Sequence, residues 1–211
     1  MPFYGEHSTD QVIRSFFPDL SHKGTFIDVG AGKPDFLSLS RHFKESGWTV
    51  VCIEANPAFA KLHRDAGNRI VECAASNYNA DSVDFTVCKT HLHGLGGIVT
   101  MEAASALKST VRYQKAGAVT SGEIIKVKVR TLDAILAEMP DIKSTDVVTI
   151  DVEGGELDVL GGFTQRRLYP HLFIIECLFE DRIGQDMALM NSLGYKFVTH
   201  QVYNYFYLRT S

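Results

Sequence analysis

Four groups of residues in this chain of 211 have the types and spacing that chemistry requires. The run Asp28-Val29-Gly30-Ala31-Gly32 follows a short apolar stretch and precedes a helix-like one. Glycines at such a strand-to-helix turn let a ligand reach the backbone, because no side chain stands in the way. Glu54 closes the next apolar run, a place where an acid accepts hydrogen bonds from both hydroxyls of a ribose. Asp151, Glu153 and Glu156 in Asp-Val-Glu-Gly-Gly-Glu, with Glu176 closing a later run, are carboxylates able to take a proton or hold a cation. His91 and His93, in Thr-His-Leu-His-Gly-Leu-Gly-Gly, are imidazoles that accept protons near neutral pH.

The glycine turn narrows the ligand. A dinucleotide site wants Gly-x-Gly-x-x-Gly, and here the third position is Asp35. A carboxylate at the helix start also repels a pyrophosphate drawn to that positive end. The Gly-Lys-Ser/Thr of a phosphate loop is absent. Asp28, two residues before the first glycine, suits a ligand that carries an ammonium group. S-adenosylmethionine has an ammonium, a sulfonium and no phosphate, so it fits Asp28, Gly30 and Gly32, with Glu54 on its ribose. Asn56 borders the same pocket. Ala74, Ala75, Ser76 and Asn77, after the third strand, fall where an adenine would lie, and Ser76 or Asn77 can bond its nitrogens.

The elements that hold these residues follow from periodicity. Residues 25–29, 49–54, 69–75, 83–88, 124–129, 147–150 and 172–175 read as strands. Helices are expected over 8–17, over 36–46 from the spacing of Phe36, Leu39 and Phe43, and after Asn56-Pro57, an N-cap followed by a proline at the first helical position. Leu132, Ile135, Leu136 and Met139 mark another helix, residues 156–160 a short one, and Ile183, Met187 and Met190 a last one. The tail 195–208 holds two strands around Tyr203-Asn204, a hairpin. Strands alternating with helices indicate an α/β domain with a mainly parallel sheet, and the closing hairpin puts one reversed strand near its end. Residues 89–122 read as a long loop region on the acceptor side.

Composition excludes several classes. Apolar residues are 45% and charged residues 22%, which is ordinary for one globular domain, here residues 1–211. The formal charge of −4 lacks the basic excess of a protein that tracks a phosphate backbone, so nucleic acid is not expected as partner. Apolar runs such as 172–175 are four residues long where a membrane span needs about twenty. The start MPFYGEHSTD has no secretion signal, and Cys52, Cys73, Cys88 and Cys177 form no Cys-x-x-Cys pair. Reduced buried thiols and a cytoplasmic location are the expectation, and the oligomeric state is left open.

Three stretches resemble the FkbM-type S-adenosylmethionine-dependent methyltransferases. FYGEHSTDQVIRSFFP is similar to that family's opening Tyr-Ser-Gln-x-Gly-Glu-Asp stretch. FIDVGAG leads through VCIEANP to CAASN. VVTIDVEGGELDVLGGF, followed by LFIIEC, is the most distinctive. The match runs in order from Tyr4 to about Phe197. It implies a Rossmann-like class I methyltransferase fold: a mostly parallel seven-stranded sheet, with residues 1–22 a helical segment over the cofactor side. It also implies methylation of a hydroxyl on a sugar, glycan or small natural product, with S-adenosylhomocysteine as the second product. Carried over, Gly30, Gly32, Glu54 and Ser76 are cofactor positions, and Asp151 and Glu153 open onto the methyl group. The chain departs from the family at His7-Ser8-Thr9-Asp10, and at Gly96-Gly97, where a serine pair is usual.

An alcohol oxygen is a poor nucleophile until its proton is accepted. Asp151, Glu153 and His93 are therefore the catalytic candidates, and Asp151 also faces the cofactor. Glu156 reads as a charge at the start of its own helix. Some small-molecule methyltransferases place a divalent ion at these strand ends. Asp151 and Glu176 would be its ligands here, but Cys177 beside them is a poor magnesium ligand, and no metal is expected. Arg112, Lys115, Arg166 and Arg167 read as solvated charges. Two other functions stay open: an N-methyltransferase acting on a small molecule, protein or nucleic acid, and a non-catalytic module that binds S-adenosylmethionine. Base-amine enzymes commonly carry Asn/Asp-Pro-Pro-aromatic where this chain has Asp151-Val152-Glu153-Gly154.

Overall fold

The apolar runs become strands buried on both faces, as a parallel sheet demands. The structure, a computed structural model, describes residues 1–90, 98–101, 119–177 and 180–210. Strands β1 (Thr25–Val29), β2 (Thr49–Glu54) and β3 (Arg69–Glu72) come first, then β4 (Ala74–Ala75), β5 (Ala80–Thr90), β6 (Ile98–Met101) and β7 (Val119–Arg130). After them come β8 (Val147–Ile150), β9 (Leu172–Glu176), β10 (Tyr195–Gln201) and β11 (Asn204–Arg209). The helices are α1 (Thr9–Ser15), α2 (Arg41–Glu45), α3 (Pro57–Asp65), α4 (Leu132–Ala137), α5 (Glu156–Gly161) and α6 (Ile183–Ser192).

The main sheet has seven strands in the order β10-β11-β9-β8-β1-β2-β3. Neighbours from β3 through β9 are parallel, and β11 runs antiparallel to both β9 and β10. The fold is thus the expected Rossmann-like α/β sheet with one reversed strand near the C-terminal end. Its chain moves from β1 outward to β3 and later returns to the other side of β1 as β8. That reversal opens a crevice at the carboxyl ends of β1 and β8, where doubly wound sheets bind ligands.

Successive residues fill opposite faces. Phe26, Leu172 and Ile174 pack with Ile13 of α1, Phe43 of α2 and Trp48. Ile27, Val148, Phe173 and Ile175 pack on the other face with Leu132, Ile135 and Leu136 of α4 and Val159 and Leu160 of α5. The Arg14 guanidinium lies 4.6 Å over the Phe43 ring, and its Nε donates to His42 Nε2 at 3.1 Å. Cys52, Cys73 and Cys177 are buried and form no disulfide. Among the described residues no helix is long and apolar enough to cross a membrane.

Two expectations need correcting. The helix expected over 36–46 is only Arg41–Glu45, because Leu37 sits at φ 55° and the Ser38 hydroxyl accepts the Arg41 N–H. The spacing of Phe36, Leu39 and Phe43 imitates a helix, yet a capping turn occupies its first half. The strand expected over 69–75 is two strands. β3 ends the main sheet, while β4 pairs with β7 in a second, four-stranded sheet of order β4-β7-β5-β6. There β5 and β7 pair antiparallel over most of their length, so the strands read at 83–88 and 124–129 never join the parallel sheet.

Ile13 is fully buried, which makes α1 part of the core. Ile13→Ala is expected to lower stability by about 2–5 kcal/mol. Urea unfolding followed through Trp48, the single tryptophan, checks this, and a loss below about 1 kcal/mol would mark α1 as peripheral.

Candidate functional site

The crevice is built by loops that follow β1, β2, β8 and β9. Gly30 and Ala31 both donate their N–H to the Ile53 carbonyl, at 2.9 and 3.2 Å, which hooks the glycine turn onto the end of β2. Gly30 has φ 79°, and a Cβ there would stand 1.7 Å from the Asp151 carbonyl oxygen. Gly30 is therefore required by the protein itself, since the turn after β1 and the end of β8 touch at that atom. Gly32 has φ 59°, and the place of its missing Cβ is open, with nothing within 4 Å among the described residues. That open space is where a ligand can approach the backbone.

Glu54 lies beside it, only 4% exposed. Its Oε2 accepts the Gly32 N–H at 2.8 Å and its Oε1 accepts the Asn56 N–H at 2.7 Å. Burial pushes this carboxyl up to about 7, although the backbone N–H groups of Asn56 and Gly32 favour its charged form. Asn56 caps α3 as its place before Pro57 predicts: its side-chain oxygen accepts the Ala58 N–H at 2.9 Å. Asp28 is buried beneath the turn, where the Thr149 hydroxyl donates to its Oδ1 at 2.7 Å. Desolvation raises its carboxyl, and the hydroxyls of Ser40 and Thr149 oppose the rise. Ser76 is buried, with its N–H on the Arg130 carbonyl and its own carbonyl against Gly162. Ala55 and Ala74 share one cluster, which brings the end of β4 toward the end of β2.

His63 of α3 went unnoticed in the sequence. Its Nδ1 faces the Asn68 amide at 2.8 Å and its Nε2 faces the Gly32 carbonyl at 3.2 Å. The network assigns the proton to Nε2, so His63 donates to the turn. Burial lowers its pKa, and Asp28 and the Gly32 backbone oppose the fall. A histidine on a helix gives no local signal for such a contact.

Across the crevice, Ile150 pairs with Ile175, so Asp151 and Glu176 follow side by side on adjacent strands. Their carboxyl groups are hydrogen-bonded to each other, which requires one shared proton. Burial pushes Asp151 up to about 7, and the charges of Glu156, Glu6 and Asp28 add to the rise. Glu176 is raised by burial and by the charges of Asp151 and Glu153, and its Oε2 has no hydrogen-bond partner among the described residues. Glu6, in the 3-10 turn Glu6–Ser8, thus belongs to the same electrostatic environment.

Glu153 stands at the top of the loop after β8 with φ 60°. A non-glycine residue held there stores roughly 1–3 kcal/mol of strain, a feature that concentrates at functional sites. Glu156 points inward instead: its Oε1 accepts the Gly154 N–H at 2.7 Å and its Oε2 lies 3.4 Å from Arg182 Nη1. It shapes the loop. His91, His93, Gly96-Gly97, Arg112 and Lys115 lie outside the described residues, as does the Arg167 side chain; Arg166 is exposed. Among the described residues, no three His, Cys, Asp or Glu side chains gather as a metal-binding group.

The residues fit a methyl donor that carries a nucleoside and a sulfonium. Gly32 offers an open backbone approach and Glu54 a buried carboxylate for a ribose. Asp151, Glu153 and Glu176 supply negative charge beside the crevice, and the Glu176 oxygen still lacks a partner.

The two glycines separate fold from ligand. Gly30→Ala forces a backbone clash, and overpacking of this kind costs roughly 1–3 kcal/mol or more. Gly32→Ala meets only open space and its left-handed φ, so it should fold with a loss of about 1–2 kcal/mol and lose affinity for S-adenosylhomocysteine. Thermal unfolding and calorimetry check both, and Gly30→Ala with wild-type stability would refute the interlock.

The raised carboxyls set a pH dependence. Asp151 titrates at about 7 when folded and near 4 when unfolded. Its stabilising contribution is therefore complete below about 4 and is lost as pH rises through 7. The ligand-free protein should melt at lower temperature at pH 8 than at pH 5. Asp151→Asn should flatten that slope and stabilise the protein at pH 8. An identical slope in the variant would contradict the assignment.

Residues 28–197 match the Methyltransferase FkbM domain. A relative named Methyltransferase 1, from Beauveria bassiana (strain ARSEF 2860), is 24% identical over 190 residues, 85% of this chain and 74% of its own. The solved precorrin-6y C5,15-methyltransferase of Geobacter metallireducens GS-15 is 13% identical, over 90% of this chain and 74% of that one, with a TM-score of 0.44.

Proposed function

This chain belongs to the FkbM methyltransferase family, and from that premise we propose that it methylates a hydroxyl oxygen on a sugar, glycan or small natural product, with S-adenosylmethionine as donor. The donor supplies a methyl carbon already activated by its sulfonium. The observation that carries the reading is the pairing of an open glycine turn with a proton-sharing carboxyl pair across one crevice. Glu54 and the turn at Gly32 hold the nucleoside end. Asp28, buried below the turn, adds negative charge that favours a cationic ligand.

Asp151 takes the hydroxyl proton as the acceptor oxygen attacks. A base works best when its pKa lies near the working pH, and Asp151 at about 7 meets that condition. Burial holds it there with the charges of Glu156, Glu6 and Asp28, while the hydrogen bond with Glu176 favours the ionised form that accepts the proton. Glu153 orients the acceptor from the strained loop beside the pair. An alcohol never presents a charge-free lone pair of useful strength until its proton is taken in the reaction itself, so a carboxyl poised near neutral pH beside the methyl carbon suits oxygen. The acceptor is a small molecule or glycan, neither nucleic acid nor a membrane surface, and the site lies in a cytoplasmic enzyme.

Labelled S-adenosylmethionine, screened over sugars, glycosides, small alcohols and amines, tests this. Label is expected on a hydroxyl, and Asp151→Asn should lower turnover by roughly 10²–10⁴ while the protein stays folded. Label on amines alone, or full turnover in the variant, would sink the reading.

A further inference from the structure

Arg182 lies at the end of the 3-10 turn Glu180–Arg182, just before α6, in the segment that follows β9. Its Nη1 donates to the Gly154 carbonyl at 2.9 Å and lies 3.4 Å from Glu156 Oε2. Its Nη2 lies 3.8 Å from Asp186 Oδ1 on α6. Glu156 and Asp186 are 2% and 1% exposed, so one guanidinium compensates two carboxylates removed from water. Glu156 in turn accepts the Gly154 and Val152 N–H groups. The loop after β8, with Glu153 at φ 60° and Gly154 at φ 113°, is thus held from both of its polar sides.

The consequence is a cross-tie. Asp151 stands at the start of that loop, and Glu176 stands at the start of the segment that leads to Arg182. One planar fork joins the two, through the Gly154 carbonyl on one side and Asp186 on the other. We infer that Arg182 is a positioning residue: by tying the loop after β8 to the start of α6, it turns Asp151 and Glu153 toward the sulfonium of the methyl donor. This rests on the reading of the site as a methyl-donor site. Lysine cannot replace the fork, because a single ammonium cannot hold the Gly154 carbonyl and both carboxylates in one plane.

S-adenosylmethionine and S-adenosylhomocysteine differ by one methyl group and one positive charge. Their affinity ratio therefore reads how the carboxylates face the sulfonium, and it needs no acceptor. Calorimetry with both compounds is done on the wild-type chain, on Arg182→Lys and on Glu156→Gln, each with its melting temperature. In Arg182→Lys, the affinity for S-adenosylmethionine should fall roughly tenfold more than that for S-adenosylhomocysteine. Glu156→Gln, which weakens the tie from its other end, should shift the ratio in the same direction. Hydrogen exchange of the Val152 and Gly154 amides should rise in both variants.

Equal loss of both affinities, or an unchanged ratio in a folded variant, would overturn the inference, as would failure of both variants to fold, which would assign Arg182 to stability alone. If the wild-type chain binds neither compound, the methyl-donor reading itself fails, a result distinct from a change in the ratio.

Discussion

The contact between Gly30 and the Asp151 carbonyl governs the site. It forces the turn after β1 and the end of β8 into van der Waals contact at the point where the sheet reverses direction. The Asp151 N–H, which donates to the Val29 carbonyl at 3.0 Å, secures the same junction. Everything chemical is referred to this junction. Gly32 lies two residues along the turn, Glu54 is reached through the Ile53 carbonyl that anchors the turn, and Glu176 follows Asp151 across one strand spacing. A side chain at position 30 would part the two halves of the crevice.

The crevice holds charge that a stable core would avoid. Asp28, Glu54, Asp151, Glu156 and Glu176 are all pushed above ordinary carboxylate values, with burial the largest cause in each. Neutral side chains of the same shape would make a more stable protein, a trade that recurs at active sites. The arrangement becomes favourable when a positive ligand arrives, because in a low-dielectric crevice nearby opposite charges interact strongly. Electrostatics, strain at Glu153 and the proton shared by Asp151 and Glu176 point to the same end of the sheet.

Much of this was legible in the sequence, and the exceptions have physical causes. Strands β1, β2, β8 and β9 are short apolar runs, and a residue buried on both sides leaves a clear local mark. The carboxylates at their ends were visible for the same reason. Gly30 was seen, but its reason was not: the atom that forbids a side chain there is 121 positions away, in Asp151. The second sheet was hidden because β5 and β7 pair over a long sequence separation, which local patterns do not encode. The hairpin at β10 and β11 showed as two strands around Tyr203, yet nothing local says that β11 inserts between β9 and β10. His63 reaches the Gly32 carbonyl and Arg182 the Gly154 carbonyl, both far along the chain, so no local spacing announces either contact.

A crystal structure of the chain with S-adenosylhomocysteine measures the central relation directly. Both ribose hydroxyls should donate to Glu54, the chain should pass over Gly32, and the sulfur should lie within reach of Asp151 and Glu176. A ligand bound elsewhere, with Glu54 still bonded only to the Gly32 and Asn56 N–H groups, would contradict it.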